Sequence, residues 1–209
     1  MKLKVINQSI KGKREIIMDV SCNLFFSKGY KNTKIIEIAE AANIGKGTFY
    51  EYFKSKEALL VELLSTKFET DKQKIEAIAS SNISQAEKIK SFFQFEIESM
   101  VNNGANNNVL AQEMISPGFR TSDEIMCLIH KMFIHKYDFL ENVITEGIKN
   151  GEFKKVESSL ATTALLGAIS FYTAFKFNIM NHDVFSGIPF GNSDWNNEEF
   201  FRLILNGLI

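Results

Sequence analysis

Residues 33–57, TKIIEIAEAANIGKGTFYEYFKSKE, leave this chain few ways to fold. Ile35, Ile38, Ala39 and Ala42 recur at the spacing of one helical face. Asn43-Ile44-Gly45 breaks that pattern, and a short amphipathic run over 48–53 follows. Two helices of this size around a tight turn form a helix-turn-helix, whose second helix lies in the major groove of DNA. A third helix opens at Ser55, a strong N-cap residue even without an acidic partner three positions on.

Charge supports that reading through its distribution. The net charge of the 209-residue chain is only -1, yet residues 1–56 carry eleven Lys/Arg against five Asp/Glu, a surplus of +6 that leaves -7 for the rest. A basic head on an acidic body suits docking on phosphate at one end. A chance segregation of solvated charge would look the same if it did not coincide with the helix-turn-helix.

The remainder predicts an all-α fold. Apolar residues at 45% allow a sizeable core, and two prolines leave room for long helices. Helices are expected over 11–28, ended by Gly29, and over 33–42, capped by Thr33. The recognition helix should run from Gly45 to about Tyr52, and the next over 55–79. Further helices are expected over 85–101, 109–115, 123–149, 158–180 and 198–208, with a polar break at 102–108 and a loop at 182–195. The domain reading is a helix-turn-helix unit at 1–55, a linking helix at 55–79, and a helical body at 80–209.

Cys22 and Cys127 lie far apart in apolar patterns and read as two buried thiols, not a disulfide. No apolar run of membrane-spanning length and no signal-peptide core are expected, which points to a cytoplasmic protein. His130 and His135 are five apart, the wrong spacing for one metal-binding helix face. No phosphate loop, nucleophile elbow or supported carboxylate pair suggests an enzyme, and no cofactor or metal is expected.

The first sixty residues resemble the DNA-binding domain of TetR-family transcriptional regulators. The features stand in order: Lys13-Arg14-Glu15-Ile16-Ile17, Leu24-Phe25-Phe26-Ser27-Lys28-Gly29-Tyr30, Thr33 with Ile38-Ala39, Ala42 through Tyr50, and Tyr52-Phe53-Lys54-Ser55-Lys56-Glu57-Ala58-Leu59. The run from Glu146 to Phe153 is similar to a turn in that family's C-terminal domains. Gly45 stands where the family often has Ser, and Tyr52 where it often has His. The resemblance implies a homodimer joined through the last two long helices, and a repressor whose C-terminal pocket binds a small effector.

For the DNA end, Gly45, Lys46, Gly47, Thr48 and Phe49 occupy the turn that usually meets base edges. Lys46 is placed to donate to guanine O6 or N7, Gly47 lets backbone approach closely, and Phe49 is either a contact or a core residue. Tyr50, Tyr52, Lys56, Thr33 and Lys34 are phosphate candidates. For the body, the resemblance and the aromatic composition suggest an apolar or amphipathic effector among Phe92, Phe93, Met100, Met126, Phe133, Phe171 and Phe175. Gln112, His130 and Tyr172 are its polar groups, although a plain core would be built from the same residue types. Ala161, Ala164, Gly167, Ala168 and Ala174 supply a small-residue seam beside Phe200, Phe201, Leu203, Ile204 and Leu208, fitting a dimer or intrachain packing. The alternative function is an ungated activator or DNA-organising factor of the same fold.

Overall fold

The structure is a computed structural model describing residues 12–102, 113–114, 122–177 and 196–208. Its described elements are helices throughout: α1 Lys13–Lys28, α2 Ile35–Ala41, α3 Lys46–Tyr52, α4 Lys56–Ser80, α5 Gln85–Asn102, α6 Asp123–Lys149, α7 Ser158–Lys176 and α8 Asn197–Leu205. The helix expected over 109–115, apart from 113–114, lies outside the described residues. So do most of the polar break and nearly all of the loop at 182–195.

Local chemistry sets the ends. Gly29 terminates α1 at φ 90°, and its N–H donates to the Phe25 carbonyl at 3.0 Å. Thr33 does not cap α2. Lys34 occupies the cap position, and its N–H is satisfied by Glu37 Oε2 at 2.7 Å. The Thr33 hydroxyl instead donates to the Gly29 carbonyl at 2.7 Å, which ties the α1–α2 turn. Asn43 takes the left-handed conformation (φ 55°) that turns the chain into α3. Ser55 caps α4 as expected, its Oγ accepting from Ala58 N at 3.0 Å.

Two cores form, and α4 contributes to both. Ile17, Phe25, Ile38, Phe49, Phe53, Leu59, Leu60 and Leu64 pack together in the head. Ile75, one turn or more beyond, enters the body core with Ile89, Phe92, Phe93, Phe139, Leu140, Leu165 and Ile169. At 1.5 Å per residue, α4 is a strut of about 38 Å joining the two. The head core also takes Ile125 from the first turn of α6, with Met114, Leu128 and Ile129 against it.

Charges enter the body in pairs. Buried Asp71 accepts from Lys67 Nζ at 2.9 Å, and Lys67 also donates to Ser99 Oγ at 2.8 Å. Lys136 meets the buried Glu96 carboxylate at 2.8 Å. Such pairs, linking α4 to α5 and α5 to α6, cost desolvation and are destabilising once one partner is removed.

Two expectations are corrected. Cys127 is exposed and Cys22 half-buried, because the apolar pattern of α6 does not turn position 127 inward. Among the described residues, α7 is long and apolar enough to cross a membrane, with a mean hydropathy of 1.2. It packs against α6 and α5. Its outer side leaves Leu160 68% exposed, and Leu203 on α8 is 64% exposed. A cleft of about 390 Å³ between α7 and α8 is lined by Leu160, Ala164, Ala168 and Ile204 among others.

Candidate nucleic-acid interface

The recognition helix stands on Phe49 and Phe53. Both side chains are buried in the head, with ring centroids 5.9 Å apart. Phe49 is therefore a core residue, and the expectation that it meets base edges is corrected. Burying position 49 turns its neighbours outward: Gly45, Lys46, Gly47 and Tyr50 are exposed, and Thr48 and Tyr52 half-buried. Thr33 is also removed from the surface, since its hydroxyl is committed inside the turn.

A shallow basic cleft of about 410 Å³ opens beside this helix. Lys31, Lys34, Lys46, Tyr50 and Lys56 line it, with Thr33, Ile35 and Ile36. It thus joins the start of α2, the exposed face of α3 and the start of α4, from which most of the predicted phosphate contacts come. Lys31 was missed as a site residue because a lone lysine after a turn carries no local signal.

Lys56 has a second task. Its Nζ donates to the Tyr30 carbonyl at 2.6 Å and the Thr33 carbonyl at 2.9 Å, and lies 4.3 Å from the Tyr30 ring centre. Partial burial pushes its ammonium below the ordinary lysine value, opposed by the carboxylates of Glu113 and Glu37. Glu113 itself accepts from the Tyr30 N–H at 2.7 Å. Arg14 fixes the other end of the recognition helix: it donates to the Tyr52 carbonyl at 3.1 Å, pairs with the Glu62 carboxylate, and lies 4.6 Å over the Phe53 ring. Neither Glu113 nor Arg14 could be assigned these tasks from sequence, because their partners lie tens of residues away.

This head is the part that other proteins share. Residues 17–63, from α1 into α4, match the family described as bacterial regulatory proteins, tetR family. The chain belongs to the TetR family. The HTH-type transcriptional regulator YhgD of Bacillus subtilis is 27% identical over 154 residues, 74% of this chain and 78% of that one. The fatty acid metabolism regulator protein of Bacillus subtilis is 25% identical over 171 residues, 80% and 86% of the two chains. The crystal structure of FadR from Bacillus subtilis in complex with stearoyl-CoA superposes with a TM-score of 0.69 at 20% identity, covering 92% and 98%. That last likeness shows the fold. As a TetR-family member the chain is a DNA-binding transcriptional regulator and not an enzyme.

The residues expected to form an effector pocket in this TetR-family body do not line one cavity. Phe92, Phe93 and Tyr172 are buried, and Phe93 lies 5.5 Å from Tyr172 and 5.3 Å from Phe200, ring centre to ring centre. Met100 is half-buried, and Phe175 is half-buried 5.4 Å from the Phe171 ring. Met126, His130, Phe133 and Phe171 are exposed, and Gln112 lies outside the described residues. Composition cannot say which side of an apolar helix faces in, and α6 turns Ile125, Leu140 and Ile144 inward instead. Tyr172 donates to Asn197 Oδ1 at 2.7 Å, and Lys176 donates to the same oxygen at 2.6 Å. Burial pushes the Tyr172 phenol up and the Lys176 ammonium down.

A different cleft, about 390 Å³, opens between α4, α5 and α6. Ile75, Phe139 and Val143 are among its apolar lining, and Glu76, Asp138 and Glu146 bring carboxylates to it, with Lys88 the basic group.

Proposed function

We propose that two copies of the chain join through α7 and α8 and present two α3 helices to a palindromic operator, repressing transcription in the cytoplasm until a small amphipathic effector releases the DNA. The observation that carries the DNA part is the outward face of α3, Lys46, Gly47 and Tyr50, beside the lysine-lined cleft. Lysines on phosphates supply affinity and position, while side chains and backbone at base edges supply specificity. The exposed apolar pair Leu160 and Leu203 beside the α7–α8 cleft supports pairing of subunits. A pair of heads on one duplex face needs half-sites about 34–36 Å apart or a multiple of that.

The likeness to a fatty acid metabolism regulator, and to a fold that holds stearoyl-CoA, supports an acyl-CoA as the effector class. A second reading, an amphipathic cation, is favoured by the three carboxylates at the α4–α5–α6 cleft. Selecting duplexes from a random pool, then titrating a bound duplex with acyl-CoAs of graded length and with lipophilic cations, tests both. Release by acyl-CoA supports the first reading and release by cations the second. Binding unaffected by either class fits the ungated alternative.

A further inference from the structure

Glycine in a helix needs a reason, since it loses more backbone freedom on folding than any other residue and adds no packing. For three glycines the fold supplies one. Gly29 and Gly151 sit at φ 90° and 80°, and a Cβ on Gly147 would overlap the Phe153 ring. Gly45 and Gly47 have no such reason. Neither has positive φ, both are exposed, and a Cβ built on either meets no atom within 4 Å. The N-cap position of α3, Gly45, is without a side-chain cap, which Ser, Asn or Asp would provide. The isolated protein would fold as well or better with Ala at 47 and Ser at 45. The constraint therefore lies outside the chain, on the face of α3 that carries Lys46 and Tyr50.

We infer that Gly47, with Gly45 beside it, determines operator specificity by exclusion: the major-groove edge of the bases packs on the α3 backbone at these positions, closer than a methyl group allows. The inference rests on the DNA reading proposed above and adds to it the residue that sets docking depth. A methyl at 47 lifts the helix from the groove floor. Lys46 and Tyr50 then lose their register against the bases, whereas Lys31 and Lys34, on flexible stems, still reach phosphate.

The test uses the full chain as wild type, Gly47→Ala and Gly45→Ser. Circular dichroism and thermal melts report folding, and titrations at one salt concentration use the duplex selected by wild type and a scrambled duplex. Gly47→Ala is expected to keep its helicity with an equal or higher melting temperature. Its affinity for the selected duplex should fall tenfold or more, and for the scrambled duplex less than twofold. Gly45→Ser should raise the melting temperature and weaken the selected duplex in the same direction. Selection repeated with Gly47→Ala should return a consensus altered at one or two adjacent positions in each half-site.

Affinity for the selected duplex retained within twofold, or equal loss on both duplexes, overturns the inference. So does a fall in the Gly47→Ala melting temperature, which would mean that the fold needs the glycine. A wild-type protein that enriches no duplex is a separate result: it removes the DNA reading itself and this inference with it.

Discussion

Phe49 and Lys46 are three residues apart on one short helix and divide its work between support and contact. Phe49 is buried among Ile38, Phe53 and Leu59, so truncating it leaves a cavity in the small head core. Phe49→Ala should destabilise the head by about 3–5 kcal/mol, measured by urea denaturation followed at the head. Lys46→Ala should leave that transition unchanged and alter which duplexes are selected. Lys56→Ala stands between the two. It removes two charged hydrogen bonds to the Tyr30 and Thr33 carbonyls, so it should lower stability by about 1–3 kcal/mol. It should also weaken binding to all duplexes and reduce the salt slope. Equal effects of Lys46→Ala and Lys56→Ala on every duplex would contradict this division. The spacing of apolar residues located the helix but left Phe49 ambiguous; only the position of α1 and α4 around it decides which side is inside.

Helix starts share one device. Glu37 accepts from the Lys34 N–H ahead of α2, Glu87 from Ser84 ahead of α5, and Glu157 from the Leu160 N–H of α7. Each carboxylate is held below its ordinary value of 4.5: Glu37 first by the Lys28 ammonium, Glu87 by the Ser84 N–H, Glu157 by the Ser159 hydroxyl. A depressed carboxylate contributes stability that is fully present above the unfolded value and is lost as pH falls through the folded one. Melting temperature should therefore drop progressively below about pH 4.5. The triple variant Glu37→Gln, Glu87→Gln, Glu157→Gln should show a shallower drop, and an unchanged acid slope would contradict the assignment. At this scale much was legible. The starts and ends of α4, α5 and α6 follow from Ser55, the break near Ser84 and the Gly147–Gly151 stretch, because caps and breakers are local signals. The split of α6 into buried Ile125 and Ile144 and exposed Met126 and Phe133 was not, since nearly all of its sides carry apolar residues.

Across the whole molecule, head and body meet through more than α4. Glu113 reaches back to the Tyr30 N–H, and Ile125 enters the head core. Glu113→Ala should speed hydrogen exchange at the Tyr30 amide without unfolding the helical body. Exchange at the wild-type rate would remove Glu113 from that role. Contacts spanning more than eighty residues leave no trace in local pattern, which explains why this junction was invisible in the sequence while the helix-turn-helix was plain. The proposed dimer belongs to this scale too. Leu160→Glu with Leu203→Glu places charge on the exposed α7–α8 surface and should give monomers by sedimentation, with weakened binding to paired half-sites. An unchanged assembly would move the interface elsewhere.

The central claim, that α3 reads a duplex as one of a matched pair, is tested most directly by selecting wild-type protein against a random duplex pool at low ionic strength and repeating the selection with Lys46→Ala. The prediction is an enriched two-fold symmetric sequence whose half-sites change at the same positions on both arms when Lys46 is removed. Enrichment of no sequence by the wild type, or an identical consensus from the variant, would contradict it.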